Sequence, residues 1–148
     1  MKKLIIISLC LIIPQIIQTN VQLQNLKKVN QIQILESSQL TLSNLENYLK
    51  LSKVKHSNIV IKQAILETGW FTSNVYKVNN NLFGLVFNGR YAKFHHWTDC
   101  IKSYKYFQRR YTKGCYYTFL VKSKYASDKK YVKKLKMINY NGRFRQNA

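Results

Sequence analysis

Five acidic side chains occur in this 148-residue chain: Glu36, Glu46, Glu67, Asp99 and Asp128. Glu67 differs from the rest in its setting. It closes the apolar run Ile59-Val60-Ile61-Lys62-Gln63-Ala64-Ile65-Leu66 and is followed by Thr68-Gly69-Trp70. A charged carboxylate there costs free energy unless it is paired or solvated through a cleft. A carboxyl that keeps its proton near neutral pH can instead deliver it to a leaving group. The run predicts a helix from Ser57 or Asn58 to Thr68, apolar almost all round and therefore central, with Gly69 as a left-handed cap. Glu67 falls in its last turn, where the negative end of the helix dipole adds to burial in raising its pKa.

A carboxylate partner for Glu67 is hard to find. No Asp or Glu lies between Asn81 and Trp97, and Asp99 is the acid nearest that segment. Asp99 is a candidate catalytic base, but its position at a predicted helix start suits a favourable interaction with the dipole equally well. Asp128 reads as a helix N-cap. His95-His96 resembles a metal pair, yet adjacent residues of a predicted strand point to opposite faces. No metal and no cofactor are expected.

The elements that must carry these groups follow from pattern and punctuation. The domain begins near Thr41, where Ser43-Asn44-Leu45-Glu46 has the form of a capping box ahead of Leu45, Tyr48 and Leu49 at helical spacing. Leu85-Val86-Phe87, Asn88-Gly89 and Tyr91 to Trp97 read as a hairpin, since Asn-Gly accepts positive φ at both turn positions. Thr98 and Asp99 then cap a helix with Ile101, Tyr104 and Gln108 on one face, broken at Lys113-Gly114. A short helix or turn runs through Tyr117 to Val121. Asp128 leads into a last helix with Tyr131, Leu135 and Ile138 along one face. Helices, one hairpin, then helices make an α+β plan that is mostly α.

The formal charge is +20, so a partner should be anionic or tolerant of a basic surface. An abundance of Asn, Ile, Tyr and Lys is also what an AT-rich coding sequence produces without any partner. Lys2-Lys3 and the apolar Leu4 to Ile13, ending at Pro14, read as an export signal over residues 1–20. The apolar stretch is too short to span a bilayer. The chain is therefore expected outside the cytoplasm, in the periplasm, the cell envelope or the medium. The signal is the expected tie to a membrane, because the residues before Cys10 lack a lipobox. Residues 21–40 read as a polar linker and residues 139–148 as a basic tail. Cys100 and Cys115 flank a predicted helix of about ten residues, which separates its ends by roughly 15 Å. A disulfide needs Cα atoms within about 7 Å, so both thiols are expected unpaired.

Three ordered motifs within residues 41–138 carry a family resemblance. They are Gln63-Ala64-Ile65-Leu66-Glu67-Thr68-Gly69-Trp70, Asn80-Asn81-Leu82-Phe83-Gly84-Leu85 and Tyr125-Ala126-Ser127-Asp128 with Tyr131 and Leu135 behind it. Arg90-Tyr91, Phe94 and Trp97-Thr98-Asp99 also fit. Together they resemble the bacterial peptidoglycan endo-β-N-acetylglucosaminidases, the glucosaminidase domain of autolysins and of the flagellar rod-cap hydrolase, glycoside hydrolase family 73. The resemblance implies a lysozyme-like helical domain with a small β-hairpin lobe. It also implies hydrolysis of the β-1,4 bond after N-acetylglucosamine in peptidoglycan. The family's acid glutamate matches Glu67, and the tyrosine of its Tyr-Ala-Thr-Asp-like motif matches Tyr125, with Ser127 in place of threonine and Lys129 where proline often stands.

Glycoside hydrolysis needs a proton for the leaving oxygen and a group to stabilise the developing oxocarbenium centre. Glu67 suits the first task. With carboxylates scarce, the 2-acetamido group of the sugar can act as nucleophile, oriented or polarised by Tyr125. Trp70, Phe83, Tyr91, Trp97, Tyr125 and Tyr131 are candidates to stack on sugar faces, although core packing is the plainer expectation for Phe83 and Tyr131. Asn80 and Asn81 either bind acetamide and hydroxyl groups or hold the turn. The expected partners are peptidoglycan glycan strands and possible anionic envelope polymers, with the chain acting as a monomer. A lytic transglycosylase is the enzymatic alternative. Lysines interleaved with tyrosines, as in Lys102-Ser103-Tyr104-Lys105-Tyr106, suit a nucleic-acid-binding module, but no nucleic-acid motif is present and no specific nucleic acid is expected. A wall-binding protein without catalysis is a further alternative.

Overall fold

The computed structural model describes residues 2–140, with side chains from Ile13 onward. The chain divides into two compact units, Met1–Gln39 and Leu40–Ala148. The first contains helix α1, Lys2–Glu36, with Pro14 inside it. The helix continues through the segment that reads as a polar linker. That stretch has no glycine or proline after Pro14 and is rich in Gln, Leu, Ile and Lys, which hold helix without tertiary instruction. Among the described residues, no helix is long and apolar enough to cross a membrane.

The second unit is built from helices around one short hairpin. Helix α2, Leu42–Leu51, is capped by Thr41, whose hydroxyl accepts from the Asn44 amide at 3.0 Å. The expected box between Ser43 and Glu46 does not form, because Thr41 offers the same hydroxyl one position ahead of Leu42. Helix α3 runs Ser57–Thr68 and ends on Gly69 at φ 54°, as its sequence predicts. A short helix the sequence reading did not anticipate, α4 at Asn74–Asn79, is capped by Ser73 and closed by Asn80 in the left-handed region. Strands β1, Val86–Phe87, and β2, Arg90–Tyr91, pair antiparallel across Asn88-Gly89. Both turn residues have positive φ, 50° and 76°, as an Asn-Gly hairpin requires.

The second strand is shorter than its pattern suggests. It stops at Tyr91, and His96 caps helix α5, Trp97–Gln108, through its side chain. His95 and His96 are therefore not strand neighbours on opposite faces. Helices α6, Tyr116–Lys122, and α7, Tyr131–Met137, complete the unit. Ile138, expected on the last helix, is its C-cap in extended backbone. Residues 141–148 of the expected basic tail lie outside the described residues.

Helix α3 is the central element, packed against α2 and α7. Val60, Ile61 and Ile65 of α3 meet a core that includes Leu45, Leu49, Ile101, Leu120 and Leu135, all fully buried. Each such side chain contributes about 1.5–3 kcal/mol on leaving water, so the helix carrying Glu67 is among the most strongly held parts of the unit. Cys100 is buried, Cys115 is exposed, and both are free.

Candidate active site

Glu67 sits in the last turn of α3, half-buried. Burial raises its pKa above the ordinary carboxyl value, and a hydrogen bond from Tyr131 opposes that shift in part. The Tyr131 phenol, at the start of α7, donates to Oε1 of Glu67 at 2.8 Å. The other oxygen, Oε2, faces Gly84, where a Cβ atom would approach it to 3.2 Å. Gly84 also has φ +61°. Backbone conformation and close approach both require glycine there.

The bond from Tyr131 is the end of a longer chain through the core. Nε2 of Gln63, one turn before the acid on α3, donates to the Tyr131 oxygen at 3.3 Å. The Tyr104 phenol donates to Oε1 of Gln63 at 2.5 Å. Tyr104 has a single proton, so the 2.8 Å bond between Tyr104 and Tyr116 is donated by Tyr116. Gln108 Nε2 donates to Tyr116 at 2.8 Å and to the Lys55 carbonyl at 2.7 Å, while its Oε1 accepts from the Lys55 amide. Each member of the sequence Gln108, Tyr116, Tyr104, Gln63, Tyr131 donates one hydrogen bond in the direction of Glu67. Oε1 is thereby held as an acceptor, and the proton of the neutral acid falls to Oε2 beside Gly84. No described side-chain nitrogen or oxygen is buried without a partner.

The chain leaves the acid through a tight turn. Gly69, Trp70 and Phe71 have φ of 54°, 61° and 64° in succession. For two bulky residues this is strained backbone, about 1–3 kcal/mol each. Thr68 holds it: its hydroxyl donates to the Ala64 carbonyl and accepts from the Phe71 amide, and its carbonyl accepts from the amides of Thr72 and Ser73. The turn keeps Trp70, which follows the acid after Thr68 and Gly69, half-buried.

The remaining candidates separate into groups. The Tyr125 phenol donates to the Phe83 carbonyl at 3.0 Å, and its ring lies 5.6 Å from Tyr131 and 5.3 Å from Phe107. Its proton is therefore committed to the backbone leading into Gly84. Phe83 is 2% exposed and packs on Tyr104, so it belongs to the core and not to a stacking surface. Trp97 is also 2% exposed, edge-on to Tyr48, and is likewise core. Asn81 is buried and clamps the hairpin base, donating to the Leu85 and Ala92 carbonyls and accepting from the Leu85 amide. Asn80 donates to the Phe94 and His95 carbonyls. The amide nitrogens of both residues hold backbone. Tyr91 is exposed on β2.

Asp99 completes a capping box with His96 and pairs with Lys102 at 3.1 Å. Asp128 pairs with Lys134 at 2.6 Å and accepts from the Lys130 amide at 2.7 Å, and these contacts, the first above all, hold its pKa low. Asp99 is engaged at the start of α5, whereas Asp128, expected as the N-cap of α7, lies two residues ahead of the actual cap Lys130 and is engaged there. Among the described residues, no group of three or more His, Cys, Asp or Glu could hold a metal ion.

A cavity of about 640 Å³ opens beyond the hairpin base, lined by Leu85, Phe87, Ser103, Tyr106, Phe107, Arg109 and Arg110. Leu85 follows Gly84 directly, and Phe107 packs on Tyr125, but Glu67, Gly84 and Tyr131 are not among the residues lining this space. Phe87 and Tyr106 are exposed rings on it, 57% and 69% accessible. Neither stands out from sequence as a sugar-stacking ring, Tyr106 reading instead as part of a lysine-tyrosine run, and Gln63 does not stand out as a partner of the acid. A glutamine four residues before Glu67, on the same face of an otherwise apolar helix, was the available signal.

The model of the glucosaminidase family, described as mannosyl-glycoprotein endo-beta-N-acetylglucosaminidase, matches residues 43–142. No curated protein and no solved structure matches the chain.

Proposed function

We propose, for a chain that belongs to the glucosaminidase family of endo-β-N-acetylglucosaminidases, that its substrate is peptidoglycan glycan and that Glu67 is the general acid. The observation that carries this reading is the half-buried Glu67 carboxyl, raised in pKa by burial and held at Oε1 by Tyr131. Its Oε2 proton passes to the glycosidic oxygen as the bond to C1 of N-acetylglucosamine breaks. The engagement of Asp99 at the start of α5 and of Asp128 just ahead of α7 supports a substrate-assisted course. The carbonyl oxygen of the 2-acetamido group attacks C1 and forms an oxazolinium ion. Water then adds to C1, its proton returns to the Glu67 carboxylate, and a reducing N-acetylglucosamine end results.

In this reading Tyr125 is a positioning residue. It holds the Phe83 carbonyl, and with it Gly84, against the acid. The cavity with Phe87, Tyr106 and Phe107 receives sugar faces, with Trp70 and Tyr91 as further stacking candidates. The basic and apolar start of the chain supports export to the compartment where such a polymer lies.

The deciding experiment is digestion of purified peptidoglycan by wild type and Glu67→Gln, with product masses read. Reducing N-acetylglucosamine ends from wild type alone are the expected result. Anhydro-muramyl ends would replace this reading by a lytic transglycosylase. No products from wild type would leave a binding protein.

A further inference from the structure

A second pocket, of about 450 Å³, is lined by Lys53, Lys55, Lys102, Lys105 and Arg109 with Tyr106 and Gln108. We infer that it is an anion-binding subsite for the phosphodiesters of a linear polymer carried on the same glycan that occupies the neighbouring cleft. Its partner's identity rests on the peptidoglycan reading above; its chemistry does not.

Three observations support the assignment. Five cations face one space, and among the described residues only Lys102 of the five pairs with a carboxylate, Asp99. The Lys105 ammonium is tied to the Ser52 carbonyl at 2.6 Å and that of Lys55 to the Tyr111 carbonyl at 3.3 Å. Those bonds fix the cations in place without cancelling their charge. Like charges so held raise one another's field, which an anionic ligand relieves.

The pocket is also built and not a chance of loose side chains. Gln108 clamps both the amide and the carbonyl of Lys55, locking the loop between α2 and α3 onto α5. Lys53 and His56 in that loop have φ of 55° and 52°. Left-handed backbone is unusual for such residues, and persists where surrounding structure over-determines it.

The third observation is shape and place. Lys102 and Lys105 of α5 and Arg109 at its C-cap, still in right-handed helical backbone, fall at i, i+3 and i+7, a row about 10 Å long by helical rise. A row suits a polymer with repeated charges better than a single ion. Tyr106 and Arg109 line both this pocket and the aromatic cleft. A polyanion here would lie beside bound glycan, which favours a polymer attached to that glycan over free nucleic acid.

The test uses the full chain and the triple variant Lys53→Gln, Lys55→Gln and Lys102→Gln, all outside the proposed catalytic groups. Binding of poly(glycerol phosphate) is measured by calorimetry across salt concentrations, beside a single-stranded DNA of equal charge. Hydrolysis is followed on peptidoglycan with and without its phosphate polymer. The expected result is a loss of at least tenfold in poly(glycerol phosphate) affinity and a salt slope lower by about two, near 0.7 for each cation removed. Hydrolysis of polymer-free glycan should be unchanged, and that of polymer-bearing walls slower. Equal affinity in variant and wild type overturns the site. Tighter binding of DNA than of poly(glycerol phosphate), lost in the variant, overturns the assigned partner. If neither protein cleaves glycan while the affinity loss holds, the pocket stands and the peptidoglycan reading falls.

Discussion

Tyr131 and Glu67 are 64 positions apart in the chain, and the phenol of one donates to the carboxyl of the other at 2.8 Å. The bond joins the end of α3 to the start of α7, and it does so in one direction. Gln63 donates to the Tyr131 oxygen, so the Tyr131 proton is directed at Glu67. The acid is thus oriented by a residue first read as a stacking ring or core filler. Its orientation in turn leaves Oε2 as the proton-bearing atom on the Gly84 side.

Glu67→Gln should abolish proton donation and lower turnover by at least 10²–10⁴-fold, the usual contribution of general acid catalysis. It should also alter the pH dependence of stability. The folded pKa of Glu67 lies above its ordinary 4.5 because burial disfavours the charge. The stabilisation is complete below about pH 4.5 and is lost as pH rises through the raised folded value. Glutamine does not titrate. Thermal unfolding at several pH values should therefore show the variant gaining on wild type as pH rises through that window.

Tyr131→Phe removes the hydrogen bond that lowers the Glu67 pKa and leaves burial unopposed. The alkaline limb of the kcat/KM profile should move to higher pH. The buried Gln63 amide loses an acceptor, at a cost of about 1–3 kcal/mol. An unmoved limb with the stability loss present would reduce Tyr131 to a structural role.

Gly84→Ala places a methyl 3.2 Å from Glu67 Oε2 at a backbone φ of +61°. Left-handed backbone costs a residue with a Cβ roughly 1–2 kcal/mol. The crowding falls on the oxygen proposed to donate the proton. The expected outcome is a fall of about tenfold or more in kcat, with a cooperative but lower melting transition by circular dichroism.

Asp99→Asn separates the two courses of the reaction. In the substrate-assisted course it should leave kcat within a few-fold of wild type. The helix start should lose part of its capping box and dipole interaction, on the order of 1 kcal/mol. Loss of turnover by orders of magnitude, comparable with Glu67→Gln, would make Asp99 a catalytic carboxylate.

What the sequence determined by itself was local. The extent of α3, its end at Gly69, the Asn88-Gly89 turn and the isolation of Glu67 all depend on neighbours within a few residues, where backbone preference and hydrophobic period decide the outcome. Local reasoning failed where several residues offered the same chemistry. Thr41 took the cap that Ser43 also suits, and His96 took the one expected from Thr98 or Asp99. Only the tertiary structure decided which aromatic and amide side chains serve the acid. Asn81, Phe83 and Trp97 look as fit for sugar as Tyr131 does, yet they are buried on the hairpin base and the core while Tyr131 reaches Glu67. A side chain's task depends on what distant segments pack around it. The line of donors from Gln108 to Glu67 crosses four helices, and no spacing within any one of them encodes it.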